Sequence, residues 1–148
     1  CLRMFQRRWY LLGKSINDER IRLYGLDRVM KVETTDDTFT LPEDFDAKDY
    51  FSNSFGVIVG VDIPVQHIVI RAKSPHQYYL RTLPLHKSQK ELAANSDYAD
   101  FELELRPTYD FCMELLRAGD MIEVLEPESL RHEMYTLAKN ICDIYRKD

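Results

Sequence analysis

Arg8-Trp9-Tyr10-Leu11 and Leu26-Asp27-Arg28-Val29 hold the residue types best able to do chemistry in this chain of 148 residues. The first run puts a cation, two large aromatic rings and an aliphatic on one expected strand. The second supplies an apolar residue, a carboxylate and another arginine. Between them, Arg20-Ile21-Arg22-Leu23-Tyr24 alternates strictly. A strand there presents Arg20, Arg22 and Tyr24 on one face and Ile21 and Leu23 on the other. Guanidinium groups clamp anionic oxygens in a fixed fork, and aromatic faces stack on bases. Together they suit an anion that carries stackable rings, such as a short nucleic acid.

The charge distribution points the same way. Net charge is -5 overall. Residues 1–31 nevertheless carry eight Lys/Arg against three Asp/Glu, leaving twelve against twenty-two for the rest. A basic segment in an acidic chain hints at an anionic partner, although a basic strand pair with no partner would give the same pattern. An apolar fraction of 45% and a charged fraction of 30% are ordinary for a globular chain of one domain or two small ones.

Other chemistries find little support. The four histidines (His67, His76, His86, His132) lack metal-ligand spacing, and five glycines form no phosphate-cradling loop. The carboxylates Asp100, Glu102 and Glu104 alternate along an expected strand, which usually marks a solvated face rather than a cation site. No serine or cysteine sits in a nucleophile motif. The expectation is therefore a protein that is not an enzyme and uses neither cofactor nor metal. Cys1, Cys112 and Cys142 are widely spaced. The last two fall on apolar helical faces, so core packing is expected, and a reducing cytoplasm fits. No run reaches about 18 apolar residues, and no secretory signal is visible. A start at Cys1 rather than Met is what a fragment would give.

Residues 3–12 and 20–24 read as strands, with Asn17-Asp18 as a hairpin turn between them, and residues 28–34 as a third strand. Three short strands are too few to close a barrel. Pro42 ends this unit, and Asp46 caps a short helix running to Phe51. Residues 55–61 are strand-like, but Gly56 and Gly60 imply a bulge or close backbone approach. A strand at 66–72 follows, then a helix with Ser74 as cap, Pro75 in its first turn and Gln77 completing a capping box. Strands are expected near 85–93 and 98–106, the latter with Phe101, Leu103 and Leu105 turned inward. Thr108 caps a helix striped by Phe111, Cys112, Leu115 and Leu116 and ended by Gly119. A strand at 121–125 completes a β-α-β-β-α-β order, the ferredoxin-like split β-α-β. A last helix starts near Pro127 and carries Leu130, Met134, Leu137, Ile141 and Ile144 at helical spacing.

With these motifs placed, the chain resembles the WYL-domain regulators, ligand-responsive transcription factors of bacteria. The namesake triplet is Trp9-Tyr10-Leu11. Arg22, Tyr24, Leu26-Asp27-Arg28-Val29, Phe39 with Pro42, Phe45-Asp46 and Tyr50-Phe51 follow in order. The second half resembles the C-terminal extension of such domains through Leu83-Pro84-Leu85-His86, Ser88-Gln89, Arg106-Pro107, Val124-Leu125-Glu126-Pro127 and Leu130-Arg131. The resemblance implies an α+β chain. A partial Sm-like/SH3-like small β-barrel over residues 1–54, without its first strands, precedes a ferredoxin-like βαββαβ domain with a C-terminal helix over 55–148. It also implies a homodimer whose barrel senses a ligand, with single-stranded nucleic acid or a nucleotide as the ligand class. Duplex DNA would be bound only through an N-terminal domain absent here.

On that resemblance Arg22 and Arg28 match pocket-facing positions, although Asp27 or Glu33 could simply pair with Arg28. Arg8 and Arg20 flank them. Tyr10 stacks on a base or donates its hydroxyl, whereas Trp9 is expected in the core. His86, with Ser88 and Gln89, closes the pocket from the second domain or merely orders the connection. Arg131 is open to either role. The expected function is ligand sensing and dimerisation in a transcriptional regulator. The alternative is a protein-protein interaction module with no nucleic-acid ligand.

Overall fold

The computed structural model of the chain describes residues 1–15, 20–40 and 43–146. The chain divides into two units, Cys1–Ser52 and Asn53–Asp148. Both mix strands with helix, so the class is α+β: a small barrel-like three-stranded sheet, then a ferredoxin-like arrangement.

In the first unit, β1 (Leu2–Phe5), β2 (Arg8–Lys14) and β3 (Ile21–Gly25) form an antiparallel sheet in the order β1-β2-β3. The single strand expected over residues 3–12 is thus two strands. Gln6 and Arg7 turn the chain between them with φ of 46° and 65°. A two-residue hairpin needs this pair of left-handed conformations, usually from Asn or Gly, so a Gln-Arg turn escapes a pattern reading. Asn17-Asp18 lies outside the described residues. On either side of it, the Ser15 N–H donates to the Arg20 carbonyl at 2.8 Å, which extends the β2–β3 register. The third strand expected at 28–34 does not form. Leu26–Arg28 is a 3-10 turn, and residues 29–34 pair with no strand among the described residues. Met30 is fully exposed at 100%, so its alternation has no sheet to serve. Leu41-Pro42 lies outside the described residues. Asp46 does cap α1 (Ala47–Tyr50), its carboxylate accepting from the Lys48 N–H at 2.6 Å.

The second unit runs β4 (Gln66–Lys73), α2 (His76–Thr82), β5 (Lys90–Ala94), β6 (Tyr98–Leu105), α3 (Tyr109–Arg117), β7 (Ile122–Glu126) and α4 (Glu128–Tyr145). Its sheet order is β5-β6-β4-β7, all antiparallel. Alternation builds the core. Ile68, Ile70 and Ala72 of β4 and Ala99, Phe101, Leu103 and Leu105 of β6 point inward. Leu80 of α2, Phe111, Cys112 and Leu115 of α3 and Leu130 of α4 cover them. Each large buried side chain contributes about 1.5–3 kcal/mol.

Several local expectations are corrected. Residues 55–61 form no strand. Instead Asp110 accepts hydrogen bonds from the N–H groups of Val57 (2.9 Å) and Ile58 (3.2 Å), so a carboxylate takes the place of a neighbouring strand. Gly60, at φ +59°, does make the close approach: a Cβ there would lie 2.6 Å from Thr108 Cγ2. Ser74 stays with the strand end, donating its N–H to the Asp97 carbonyl, and Pro75 takes the cap position. Gln77 turns inward toward the Asn95 carbonyl rather than closing a capping box. Residues 85–89 are loop, and β5 begins only at Lys90. Thr108 holds the cap position of α3, but its hydroxyl goes to the Asp110 carboxylate. Only the first half of α4 packs: Ile144 is 78% exposed, and Cys142 is exposed rather than in the core.

Gly60→Ala should cost about 1–3 kcal/mol through backbone strain and the contact with Thr108. Urea unfolding followed by circular dichroism would read this as a lower midpoint at unchanged slope, and an unchanged midpoint would refute the close approach.

Candidate anion-binding site

The register of the first sheet decides which side chains can act together. Tyr10 lies opposite both Arg3 and Gly25, Arg8 opposite Phe5, and Leu12 opposite Leu23. Cross-strand partners share a face. Arg3, Arg8 and Tyr10 therefore share a face with the buried Leu12. Trp9 lies opposite Met4, Leu11 opposite Tyr24, and Arg22 opposite Gly13, all on the other face. The predicted residues are thus split: Arg8 and Tyr10 on one side, Arg22 on the other, with Arg20 following Arg22 by alternation. Trp9 is 51% exposed, not a core anchor, because Leu12 rather than Trp9 points to the covered side.

The face with Tyr10 has defined partners. Arg8 Nη1 donates to Asp27 Oδ2 at 3.0 Å. A Cβ on Gly25 would lie 2.7 Å from Asp27 Oδ1 and 2.8 Å from Arg28 Nη2. The bare Gly25 backbone is what admits both charged ends there, beside Tyr10 in the register. Neither neighbouring carboxylate forms an ion pair with Arg28: Asp27 goes to Arg8, and Glu33 to Lys31. The Arg3 guanidinium lies 4.0 Å from the centroid of the Phe51 ring, a cation-π contact. Sequence reasoning missed Arg3. Period two across the β1–β2 hairpin would have aligned it with Tyr10, had Gln6-Arg7 been recognised as a turn.

His86, the remaining candidate, belongs to the second unit. Its Nδ1 sits 2.7 Å from Ser88 Oγ. Ser88 Oγ in turn accepts the Glu104 N–H at 2.8 Å, and Gln89 accepts the Leu85 N–H and donates to the Leu80 carbonyl. This network orders the 85–89 loop against β6 and α2. Arg131 donates to the Glu123 carboxylate and the Val124 carbonyl, which ties α4 to β7.

The uncovered face of the second sheet is charged and internally matched. Arg71 grips Asp100 through two bonds of 2.7 and 2.8 Å and lies 3.9 Å from the Tyr98 ring centroid. The hydrogen bond to Asp100 raises the Arg71 pKa, so this cation stays protonated at any accessible pH. Glu104 and Glu102 face His67 at 2.9 and 4.0 Å, and Glu102 also pairs with Lys90. The carboxylate row therefore serves ion pairs, and no group of His, Cys, Asp and Glu suited to a metal occurs among the described residues. No helix among them is long and apolar enough to cross a membrane. The buried Cys112 thiol is pushed up to about 12, chiefly by desolvation, and so stays protonated and unreactive near neutrality.

Residues 64–142, from just before β4 into α4, match the WCX domain family. The chain belongs to the WCX family. The WCX domain is the C-terminal companion of WYL domains. It spans the ferredoxin-like sheet, the His86 loop and Arg131, whereas the arginines of the first sheet lie before it. Among solved structures, the chain is similar to proteasome accessory factor B/C (PafBC) of Arthrobacter aurescens. The identity is 20% and the TM-score 0.38, over 86% of this chain and 19% of that one. The chain therefore spans about a fifth of that protein. No curated protein matches.

Thiol accessibility checks the geometry of the WCX core. Ellman's reagent at pH 8 should titrate Cys1 and Cys142 quickly in the native protein and Cys112 only after unfolding. Fast reaction of all three thiols would mean that α3 does not seal against the sheet.

Proposed function

We propose that this chain is the ligand-sensing region of a WYL-type transcriptional regulator, and that its first sheet binds an anionic ligand, a short single-stranded nucleic acid or a nucleotide. One observation carries this reading. Arg8, Arg28 and Tyr10 gather around Gly25 on one sheet face, in the segment where cations outnumber carboxylates eight to three. A forked cation beside an aromatic ring offers a phosphate charge-assisted hydrogen bonds and offers a base a stacking surface. Arg20 and Arg22, on the opposite face, serve a second stretch of backbone. In this reading His86 orders its loop and does not touch the ligand.

The region acts without catalysis. Ligand binding favours one arrangement of a homodimer in the cytoplasm, and that arrangement sets the spacing of DNA-binding domains preceding this chain. Such a shift requires only that the ligand bind one arrangement more tightly than the other.

A second reading has its own support. Leu2, Met4, Trp9, Leu11 and Tyr24 form an exposed apolar face on the same sheet. Apolar patches of this kind mark protein interfaces. A dimerisation module with no nucleic-acid ligand would use that face and leave the arginines incidental.

Fluorescence anisotropy with a labelled short single-stranded DNA separates the two. Arg28→Ala should weaken binding about tenfold, the usual effect of removing a charge-assisted hydrogen bond. It should also reduce the slope of log K against log salt by about 0.7 for each phosphate that is no longer neutralised. Arg22→Ala should weaken binding less, since it lies on the far face. Equal affinity for the parent and both variants would refute the site. Dimerisation without any binding would favour the interaction module.

A further inference from the structure

The first sheet contains a carboxylate where an anion-binding face should have none. Arg3, Arg8 and Arg28 lie on or beside the face that holds Tyr10. Asp27 is the acid placed among them. Its Oδ2 accepts from Arg8 Nη1 at 3.0 Å, and its Oδ1, like Arg28 Nη2, lies within 3 Å of the place a Gly25 Cβ would take. Both partners of this ion pair are well exposed, with side-chain exposures of 64% for Arg8 and 43% for Asp27. The 3-10 turn Leu26–Arg28 delivers Asp27 and Arg28 from adjacent positions, so the carboxylate and the guanidinium reach the same spot together. Among the described residues Arg28 has no ion pair of its own.

We propose that Asp27 is the resident counter-ion of a phosphate site made by Arg8 and Arg28. A phosphate of the bound ligand takes the place of the Asp27 carboxylate at Arg8. Resting on the reading of this sheet as an anion-binding surface, the assignment adds a residue that sets its affinity from within. Displacement is cheap, because an exposed ion pair contributes little to stability. The incoming phosphate is the better partner: it offers more acceptor oxygens and bonds Arg8 and Arg28 at once. Asp27 thus holds Arg8 when no ligand is bound, and weakens every ligand too poorly charged to displace it.

The test is a titration of the full chain with a fluorescein-labelled oligothymidylate, in parent, Asp27→Asn, Arg8→Ala and the double variant. Asp36→Asn, which removes an exposed carboxylate elsewhere in the same unit, controls for the change in net charge. Asp27→Asn should bind roughly two- to fivefold more tightly, the exchange value of an exposed ion pair. Asp36→Asn should match the parent. In the Arg8→Ala background the Asp27→Asn gain should vanish, because the two residues act through one contact. A gain equally large in Asp36→Asn, or affinity in Asp27→Asn no better than the parent, overturns the role of Asp27 while leaving the sheet as a binding surface. Absence of binding by parent and all variants, with circular dichroism unchanged, overturns both.

Discussion

Side chains alternate between the two faces of a strand, and every site in this protein follows from that period of two. In the second unit it sorts β6 cleanly: Phe101, Leu103 and Leu105 are buried, and Asp100, Glu102 and Glu104 stand on the opposite side. A one-residue slip of β6 against β4 would bury three carboxylates, which costs far more than the ladder returns. In the first unit the same rule divides the arginines. Tyr10 and Arg8 look one way and Trp9 the other, although all three are consecutive residues of one motif.

The two units use charge differently. On the outer face of the WCX sheet cations are met by carboxylates: Arg71 by Asp100, Lys90 by Glu102, Lys73 by Asp120. Bidentate pairing and the Tyr98 ring hold Arg71 in one geometry, so this face is ordered but has little charge to offer a partner. In the first sheet Asp27 pairs with Arg8, and Arg28 has no ion pair among the described residues. The apolar side chains of this sheet are also poorly covered, which leaves Trp9 and Tyr24 exposed. The proposed ligand site lies on this first sheet and not on the matched face of the second.

Much of the second unit is legible in the sequence, because its signals are long and mutually consistent. Alternation over 66–72 and 98–105, the 3.6-residue stripe over 111–116 and the order of elements each predict the same ferredoxin-like sheet. Legibility fails where one side chain substitutes for a backbone pattern. Asp110 satisfies Val57 and Ile58 in place of a strand, and Gln6-Arg7 turns a hairpin without glycine. Residues 28–34 alternate correctly yet meet no neighbouring strand, since period two records only the possibility of a sheet. Type and spacing reveal the arginines but not their division between faces, which depends on the β2–β3 register, while the unrecognised Gln6-Arg7 turn hid the alignment of Arg3 with Tyr10. Asp27 stands next to Arg28 in the chain yet is the ion-pair partner of Arg8, a choice fixed by the path of a 3-10 turn.

An acidic chain that takes the proposed anionic ligand must do so locally. At physiological ionic strength the screening length is about 8 Å, so charges farther off than a few side-chain lengths contribute little to the potential at the sheet. Within the first unit itself, residues 32–52 carry seven carboxylates against one cation, Lys48, and these oppose the local attraction at Arg8 and Arg28. Net charge also limits its range: long-range steering scales with the field of the whole molecule, which here repels polyanions. A short ligand can place one or two phosphates within reach of the arginines and keep the rest of its charge small. A long nucleic acid brings many more phosphates into the field of a chain of net charge -5. On the proposed reading, the net charge of -5 therefore favours short ligands over long ones.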